Sequence, residues 1–526
     1  MVDPASDAVT GDGNLSSRFS LRGTGLVVFA GNIVSVFTGL VFLVMVTRSV
    51  SPSAFGLWEF IYDIVLFTSY PAVVIAFWVL RKVARGHALA KTGLLVSAVS
   101  STGGAVAYIV SSIVVHGIVG SAFSHFLLGA MMVPLFYWYT VANAIAYARK
   151  PTITTYSLLL SEGIKLLTGY TLLFVHPIGV DGVIIALEVA YFVHAGLSTF
   201  QFRGILTDKI DFREGKSWFL TSWGPHVYAL ASLVLISDTF VAPLVFSGTT
   251  AAGYYQAAFT IASIIRNASF LSIALYPILL GGRTKGVPSV ALDFFLLFSV
   301  PMVVGTIVLS RPLLYLLKPA YVAVQLSLPI MAVSVFFLSM STFLDSTLLG
   351  IETADACGGG SPNQYSGTAI TFVPKVNLFY AAGYIFLVSI AFKATAGIPV
   401  PEIVLTWAAV QLGATMSMIL VKLNKAMQKK ALSIPRSAGK YAIGNITMAA
   451  AAELLSATYL KEGPGLVGFG TKLVAIVLIS AIVYFGTVYA VDASFRRLVG
   501  RFLSLAGIGQ ARAAGMPPES VPSSQP

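Results

Sequence analysis

Apolar residues in this chain come in long unbroken runs, not in stripes. Stretches such as 26–46, 92–119 and 473–491 are apolar on every face, the pattern of helices surrounded by lipid or by other helices. A β-barrel would need alternation of apolar and polar positions, and that alternation is absent. About fourteen segments of spanning length can be read, near 24–47, 57–80, 92–118, 123–147, 153–175, 180–202, 220–246, 254–280, 289–310, 322–350, 372–393, 400–421, 440–460 and 470–491. With short connections they account for nearly all of the 526 residues.

The loop between the first two segments recurs. Ser51-Pro-Ser-Ala-Phe-Gly56-Leu-Trp58 lines up, about 197 residues later, with Gly248-Thr-Thr-Ala-Ala-Gly253-Tyr-Tyr255, each copy preceded and followed by an apolar segment. The offset spans six helices, an even number, so both copies enter the membrane in the same direction. The expected fold is therefore an all-α polytopic membrane protein of about 14 transmembrane helices: two six-helix bundles related by a pseudo-twofold axis along the membrane normal, plus two C-terminal helices. The boundaries that follow are a tail at 1–23, a first bundle at 24–216, a second at 217–421, two additional helices at 422–491, and an amphipathic helix with a disordered tail at 492–526.

Composition agrees with the membrane class: 56% hydrophobic and 10% charged residues, with a mean hydropathy of +0.85, against about 25% charged in a soluble domain. The net charge of +12 does not point to nucleic acid, because the basic residues sit in alternate loops rather than on one patch. With the N-terminus inside, about 25 Lys and Arg fall on the cytoplasmic side and about five outside, so both termini are expected in the cytoplasm of a multi-pass plasma-membrane protein. The polar start, with Asp3, Asp7 and Asp12, does not resemble a signal peptide. Cys357 is the single cysteine, which excludes an internal disulfide and a cysteine metal cluster.

The segment from Asp355 to Thr368, with Gly358-Gly-Gly360-Ser-Pro362, has the composition of a flexible linker. Phe495, Leu498, Phe502 and Leu505 share one helical face beside Arg496, Arg497 and Arg501, the pattern of a helix lying on the membrane surface. From Pro517 onward the chain reads as disordered.

The repeated hairpin also carries a family resemblance. Thr47-Arg48-Ser-Val50-Ser-Pro52-Ser-Ala-Phe55-Gly56-Leu-Trp58 resembles the first extracytoplasmic turn of polysaccharide exporters, the Wzx-like lipid-linked oligosaccharide flippases of the MATE-like (MOP) superfamily. Asp238 followed by Ala252-Gly253-Tyr254-Tyr255-Gln256-Ala257-Ala258 is similar to that family's seventh and eighth helices, and the resemblance fades after Gly350. It implies a carrier of polyprenyl-linked sugars, working with membrane lipids, with H+ or Na+ and with glycan-assembly enzymes. A MATE-like drug or cation exporter is the alternative, and a membrane-embedded glycosyltransferase or polymerase a third reading. The outer loops are short and lack paired acids suited to metal or base chemistry. No enzyme activity and no cofactor are expected, and no nucleotide-binding motif is present, so energy would come from an ion gradient or the membrane potential.

Charged groups inside helices mark a polar path, because each costs about 2.5 to 3.5 kcal/mol at the bilayer centre. Asp238 and Arg266 lie on adjacent antiparallel segments: a structural ion pair is one reading, and Arg266 as a phosphate anchor released by Asp238 is the other. Glu162 and Lys165, three apart, neutralise each other locally, or Lys165 is a second cationic site for pyrophosphate. Glu188, one face along from the more superficial Asp181, is a candidate proton or sodium site. Arg48, Glu59 and Asp63 surround the first repeat loop, either closing the outer end of the first bundle or acting as a gate, and Arg48 also counts among the candidate substrate contacts. Asp345 and Glu453 are isolated acids at membrane depth, Asp345 being a further coupling candidate. Phe136-Tyr137-Trp138-Tyr139 sits mid-helix, where Tyr137 and Trp138 either pack or stack on sugar. Intrahelical prolines such as Pro71 and Pro243 are expected to bend their helices.

Overall fold

The computed structural model describes residues 31–500 apart from 32–33, 205–208, 221–226, 228–229, 232, 270–278, 280–286, 353–366, 430–437, 464, 494 and 498. Every regular element among them is helical. The first half contains α1 (Val34–Ser49), α2 (Pro52–Thr68), α3 (Tyr70–Ala84), α4 (Ala90–Val119), α5 (Phe123–Gly129), α6 (Met132–Arg149), α7 (Pro151–Tyr170), α8 (Val180–Gln201) and α9 (Phe212–Leu220). The second half contains α10 (Ser237–Phe246), α11 (Thr250–Ser263), α12 (Val287–Val308), α13 (Ser310–Leu317), α14 (Ser327–Gly350), α15 (Ala369–Ala394) and α16 (Val400–Gln428), followed by α17 (Ala438–Tyr459) and α18 (Leu466–Val491).

Each of the fourteen expected segments contains helix. Among the described residues nine helices are long and apolar enough to cross a membrane, or ten when α2 and α3 count as one bent span. The bend between them is 54°. It falls at Ser69, whose N–H still bonds to the Val65 carbonyl and completes α2, while Pro71 in the first turn of α3 has no N–H to continue the ladder. At the other end of α2, Ser51 caps the helix by accepting from the Ala54 N–H, with Pro52 at the first helical position.

Two elements differ from the reading of the sequence. The eighth segment, expected as one helix to 280, is α-helical through Ser263 and then turns 3-10 over Ile264–Ser269, beyond which it lies mostly outside the described residues. The connection before the tenth is not a plain loop but α13 and a second 3-10 turn, Pro319–Val324. The linker at 355–368 lies mostly outside the described residues, as does the chain beyond Gly500. The surface helix is described only at its start.

Burial distinguishes central from peripheral helices. The apolar window of α14 is 56% buried and that of α18 only 22%. The largest core cluster joins the halves, with Phe55, Phe60, Ile61 and Ile64 from α2, Tyr255, Ala258 and Ile261 from α11, and Trp407 from α16. α17 and α18 pack on α12 through Leu297, Tyr441, Met448, Tyr484 and Val488, and the Tyr484 hydroxyl donates to the Leu297 carbonyl at 2.9 Å. Val99, Val106, Val110, Ile113 and Val114 leave one side of α4 exposed and apolar. Water would not tolerate such a surface, and lipid requires it. The chain is a multi-pass membrane protein.

Candidate functional site

The two repeated hairpins meet each other. A Cβ placed on Gly56 would strike the Thr249 carbonyl and the Gly253 amide nitrogen, and one placed on Gly253 would strike the Pro52 carbonyl and the Gly56 nitrogen. Position 52 corresponds to 249 and position 56 to 253 under the repeat, so the contact is reciprocal. Only residues without a side chain allow backbones this close. The same symmetry pairs Glu59 with its counterpart Gln256, whose Nε2 donates to Glu59 Oε2 at 3.1 Å. Thr249 Oγ1 donates to the Ser53 carbonyl at 2.6 Å, and Thr239 Oγ1 donates to Asp63. Glu59 and Asp63 thus reach the second half of the molecule, rather than closing the first bundle on itself.

A second clamp lies at the end of α1. Arg48 donates to the carbonyls of Leu316 (3.0 Å) and Tyr315 (2.6 Å) at the C-terminus of α13, and Thr47 Oγ1 donates to the Leu317 carbonyl at 3.3 Å. In return Lys318 Nζ donates to the Val50 carbonyl at 2.7 Å. Each cation satisfies carbonyls left open at a helix C-terminus and meets the negative end of its dipole. Arg311 forms a two-point ion pair with Glu462, and the Tyr315 hydroxyl donates to Gly463, which fastens α13 to the turn before α18.

Behind the seam lies Asp238, buried. It accepts from the Tyr384 hydroxyl, from the Trp407 indole at 2.9 Å and from the Thr239 amide at 2.8 Å. Trp407 stacks on Tyr255 of the repeat motif, 3.7 Å between centroids at 8°. Measured from the hairpin, Asp238 is roughly 12 Å along α10. Arg266, beyond α11 and within the 3-10 turn, is about 25 Å along. Tyr380 is within electrostatic reach of both.

Arg266 lines a cavity of about 140 Å³ with Ala231, Leu235, Leu338, Ser341, Thr342, Asp345, Asn377, Tyr380, Ala381 and Met418. Asp345, isolated in sequence, has a partner in space. Lys422, fully buried, places Nζ 2.7 Å from Asp345 Oδ1 as an ion pair. The same ammonium donates to Ser341 Oγ and Asn377 Oδ1 at 2.6 Å, and Asn377 Nδ2 donates to Asp345 Oδ2 at 3.2 Å. A buried ion pair survives only with such satisfaction of its remaining donors and acceptors.

In the first half, Lys165 Nζ lies 2.7 Å from Glu162 Oε1 and 5.2 Å from the centroid of the Phe42 ring. Thr38 Oγ1 donates to the other Glu162 oxygen at 2.8 Å. Asp181 pairs with His125 at 2.7 Å. Glu188 Oε1 is buried without a hydrogen-bond partner among the described residues. Tyr137 is fully buried, with its hydroxyl on the Thr68 carbonyl at 3.3 Å, so its ring has no surface to offer a sugar in this conformation. The Trp138 indole donates to Thr199 Oγ1 at 3.0 Å and packs edge-on against Phe192.

Gln256, Tyr384, Trp407, Asn377 and Lys422 were not singled out in the sequence. Gln256 was within reach, since extending the repeat alignment by one residue sets it opposite Glu59. Lys422 reads in one dimension as a cytoplasmic end charge, and nothing there shows that it turns inward.

No family model matches the chain, and no curated protein matches it. Solved structures share the architecture. The lipid II flippase MurJ in an inward closed conformation superposes with a TM-score of 0.56 at 13% identity, over 88% of this chain and 99% of that one. An inward-facing multidrug resistance MATE family transporter of the MOP superfamily gives 0.56 at 12% identity, over 75% and 95%. A MATE in the straight conformation gives 0.53 at 12%, over 77% and 95%. The chain shares the fold of these MurJ and MATE structures.

Proposed function

We propose that this protein moves polyprenyl-linked oligosaccharides across the cytoplasmic membrane by alternating access between its two bundles, with both termini in the cytoplasm. The observation that carries this reading is the charge of the cavity in the second half. Arg266 and Asp345 line it, and Lys422 behind the wall neutralises Asp345 at 2.7 Å, which suits a phosphate-bearing substrate rather than a cationic drug. The likeness to the lipid II flippase also extends over 88% of the chain, against 75% and 77% for the two MATE transporters.

In this mechanism the seam between Gly56 and Gly253 is the closed outer gate, held by Glu59, Asp63 and Arg48, and substrate enters from the cytoplasmic side. Arg266 anchors phosphate, and Lys165 serves as a second cationic site when Glu162 releases it. Glu188, Asp238 and Asp345 are the acids available for ion coupling. Arg48 is assigned to the gate rather than to substrate, because helix-terminal carbonyls occupy it.

The test is flipping of a fluorescent polyprenyl-pyrophosphate-linked sugar in proteoliposomes, with imposed proton and sodium gradients. Protein-dependent translocation lost in Arg266→Ala is the expected result. Absence of translocation together with uptake of cationic dyes would replace this reading with a MATE-like exporter.

A further inference from the structure

We infer that the cavity in the second half is a subsite for one sugar ring joined to phosphate, with the ring between Thr342, Asn377 and Tyr380 and the phosphate on Arg266. This rests on the carrier reading above and names the part of the substrate the cavity holds. Size sets the first limit. The cavity measures about 140 Å³, and an apolar cavity of about 150 Å³ holds one benzene. One six-membered ring fits within it.

Chemistry sets the second limit. A benzene-binding cavity is lined by apolar side chains, whereas Ser341, Thr342 and Asp345 on α14 and Asn377 and Tyr380 on α15 here present hydroxyl, carboxylate and amide groups. That lining matches a ligand rich in hydroxyls. The polar wall is also rigid, because Lys422 holds Asp345, Asn377 and Ser341 from behind at 2.6 to 2.7 Å. Groups fixed in this way lose little freedom when a ligand arrives.

A third observation points to a missing partner. The Tyr380 hydroxyl oxygen is buried and has no hydrogen-bond partner among the described residues. Its ring is held against Tyr384, 6.2 Å between centroids at 15°, and Tyr384 is itself bonded to Asp238. A buried hydroxyl is normally satisfied, and a small rotation of the ring toward the cavity would bring this one to a sugar hydroxyl.

The experiment uses the purified full-length protein and follows binding by calorimetry with glucose 1-phosphate, galactose 1-phosphate, N-acetylglucosamine 1-phosphate, inorganic phosphate and methyl glucoside. At least one sugar phosphate should bind tenfold or more tightly than inorganic phosphate or methyl glucoside. Tyr380→Phe should weaken that sugar phosphate about tenfold with phosphate affinity unchanged and thermal stability unchanged or raised, since it removes an unmatched polar atom. Thr342→Leu, at a position whose hydroxyl, among the described residues, bonds its own helix at Leu338, should abolish sugar-phosphate binding and keep phosphate binding.

Equal affinity for phosphate and every sugar phosphate, or full binding in Thr342→Leu, would overturn the subsite. Transport separates the two ideas. Thr342→Leu should slow flipping of a one-sugar polyprenyl pyrophosphate while leaving the bare polyprenyl pyrophosphate unaffected. Equal slowing of both would overturn the subsite alone. Failure of the wild type to move either lipid would overturn the carrier reading, with soluble-ligand binding still deciding the subsite.

Discussion

Gly56 and Gly253, equivalent positions in the two repeated hairpins, lie against each other's helix backbones with no room for a Cβ on either. The contact makes the N-terminal ends of α2 and α11 a single closed seam. It also explains why the motif was legible twice: each copy needs glycine because the other copy is its neighbour.

Enlarging either glycine should therefore open the seam. Gly56→Ala or Gly253→Ala introduces overpacking of about 1 to 3 kcal/mol, roughly a 5- to 150-fold shift between closed and open arrangements. In a background lacking Cys357, a cysteine at Thr249, buried in the closed seam, should react faster with a water-soluble maleimide in these variants. Unchanged labelling would show that the seam does not set the conformational balance.

Lys422 is expected to be structural as well as electrostatic. Lys422→Met strands Asp345 beside a lost charge and should cost about 3 to 5 kcal/mol, the usual penalty for breaking a buried pair. Adding Asp345→Leu should return most of the loss. The check is the thermal unfolding midpoint in detergent for the single and double variants.

Glu214 on α9 pairs with Lys82 at the end of α3 at 2.7 Å, and this hydrogen bond lowers its pKa below the ordinary 4.5. A carboxylate depressed in the folded state stabilises fully above its ordinary value, and the contribution is lost as pH falls through the lowered one. Lys82→Gln should thus be less stable than wild type by a constant margin above about pH 5, with the margin closing in more acidic buffer. Denaturant unfolding across pH 3 to 7 would show it, and a margin independent of pH would refute it.

Glu188 offers a test of coupling. With one carboxylate oxygen buried and unmatched among the described residues, Glu188→Gln should fold normally. If this acid carries the coupling proton, transport in the variant should persist at a reduced rate and stop responding to an imposed pH gradient. A preserved response would move the assignment to Asp238 or Asp345.

How much was readable in advance differs by element. The lipid-facing surfaces of α4 and α18 and the hairpins around Gly56 and Gly253 were legible because lipid demands long apolar runs, and because duplication leaves the same turn in both copies. Glu162 and Lys165 were legible for a different reason, since three-residue spacing on a helix fixes proximity locally. Arg48 was recognised as part of a closure but not its partners, which are carbonyls, and carbonyls carry no signature in sequence. The 3-10 turn that carries Arg266 deeper than a continuous helix would was likewise hidden.

The sequence by itself determined the membrane class, the repeat and which ionisable residues lie within apolar segments, because each follows from local composition or spacing under the constraint of a hydrocarbon solvent. Only the tertiary structure decided which charges meet. Asp345 finds Lys422 across 77 residues, Asp238 is held by Tyr384 and Trp407, and Glu59 pairs with its own repeat counterpart. The physical reason is that a buried charge needs a partner but does not specify one. The choice is made by how the helices pack, and that depends on every apolar contact around them at once.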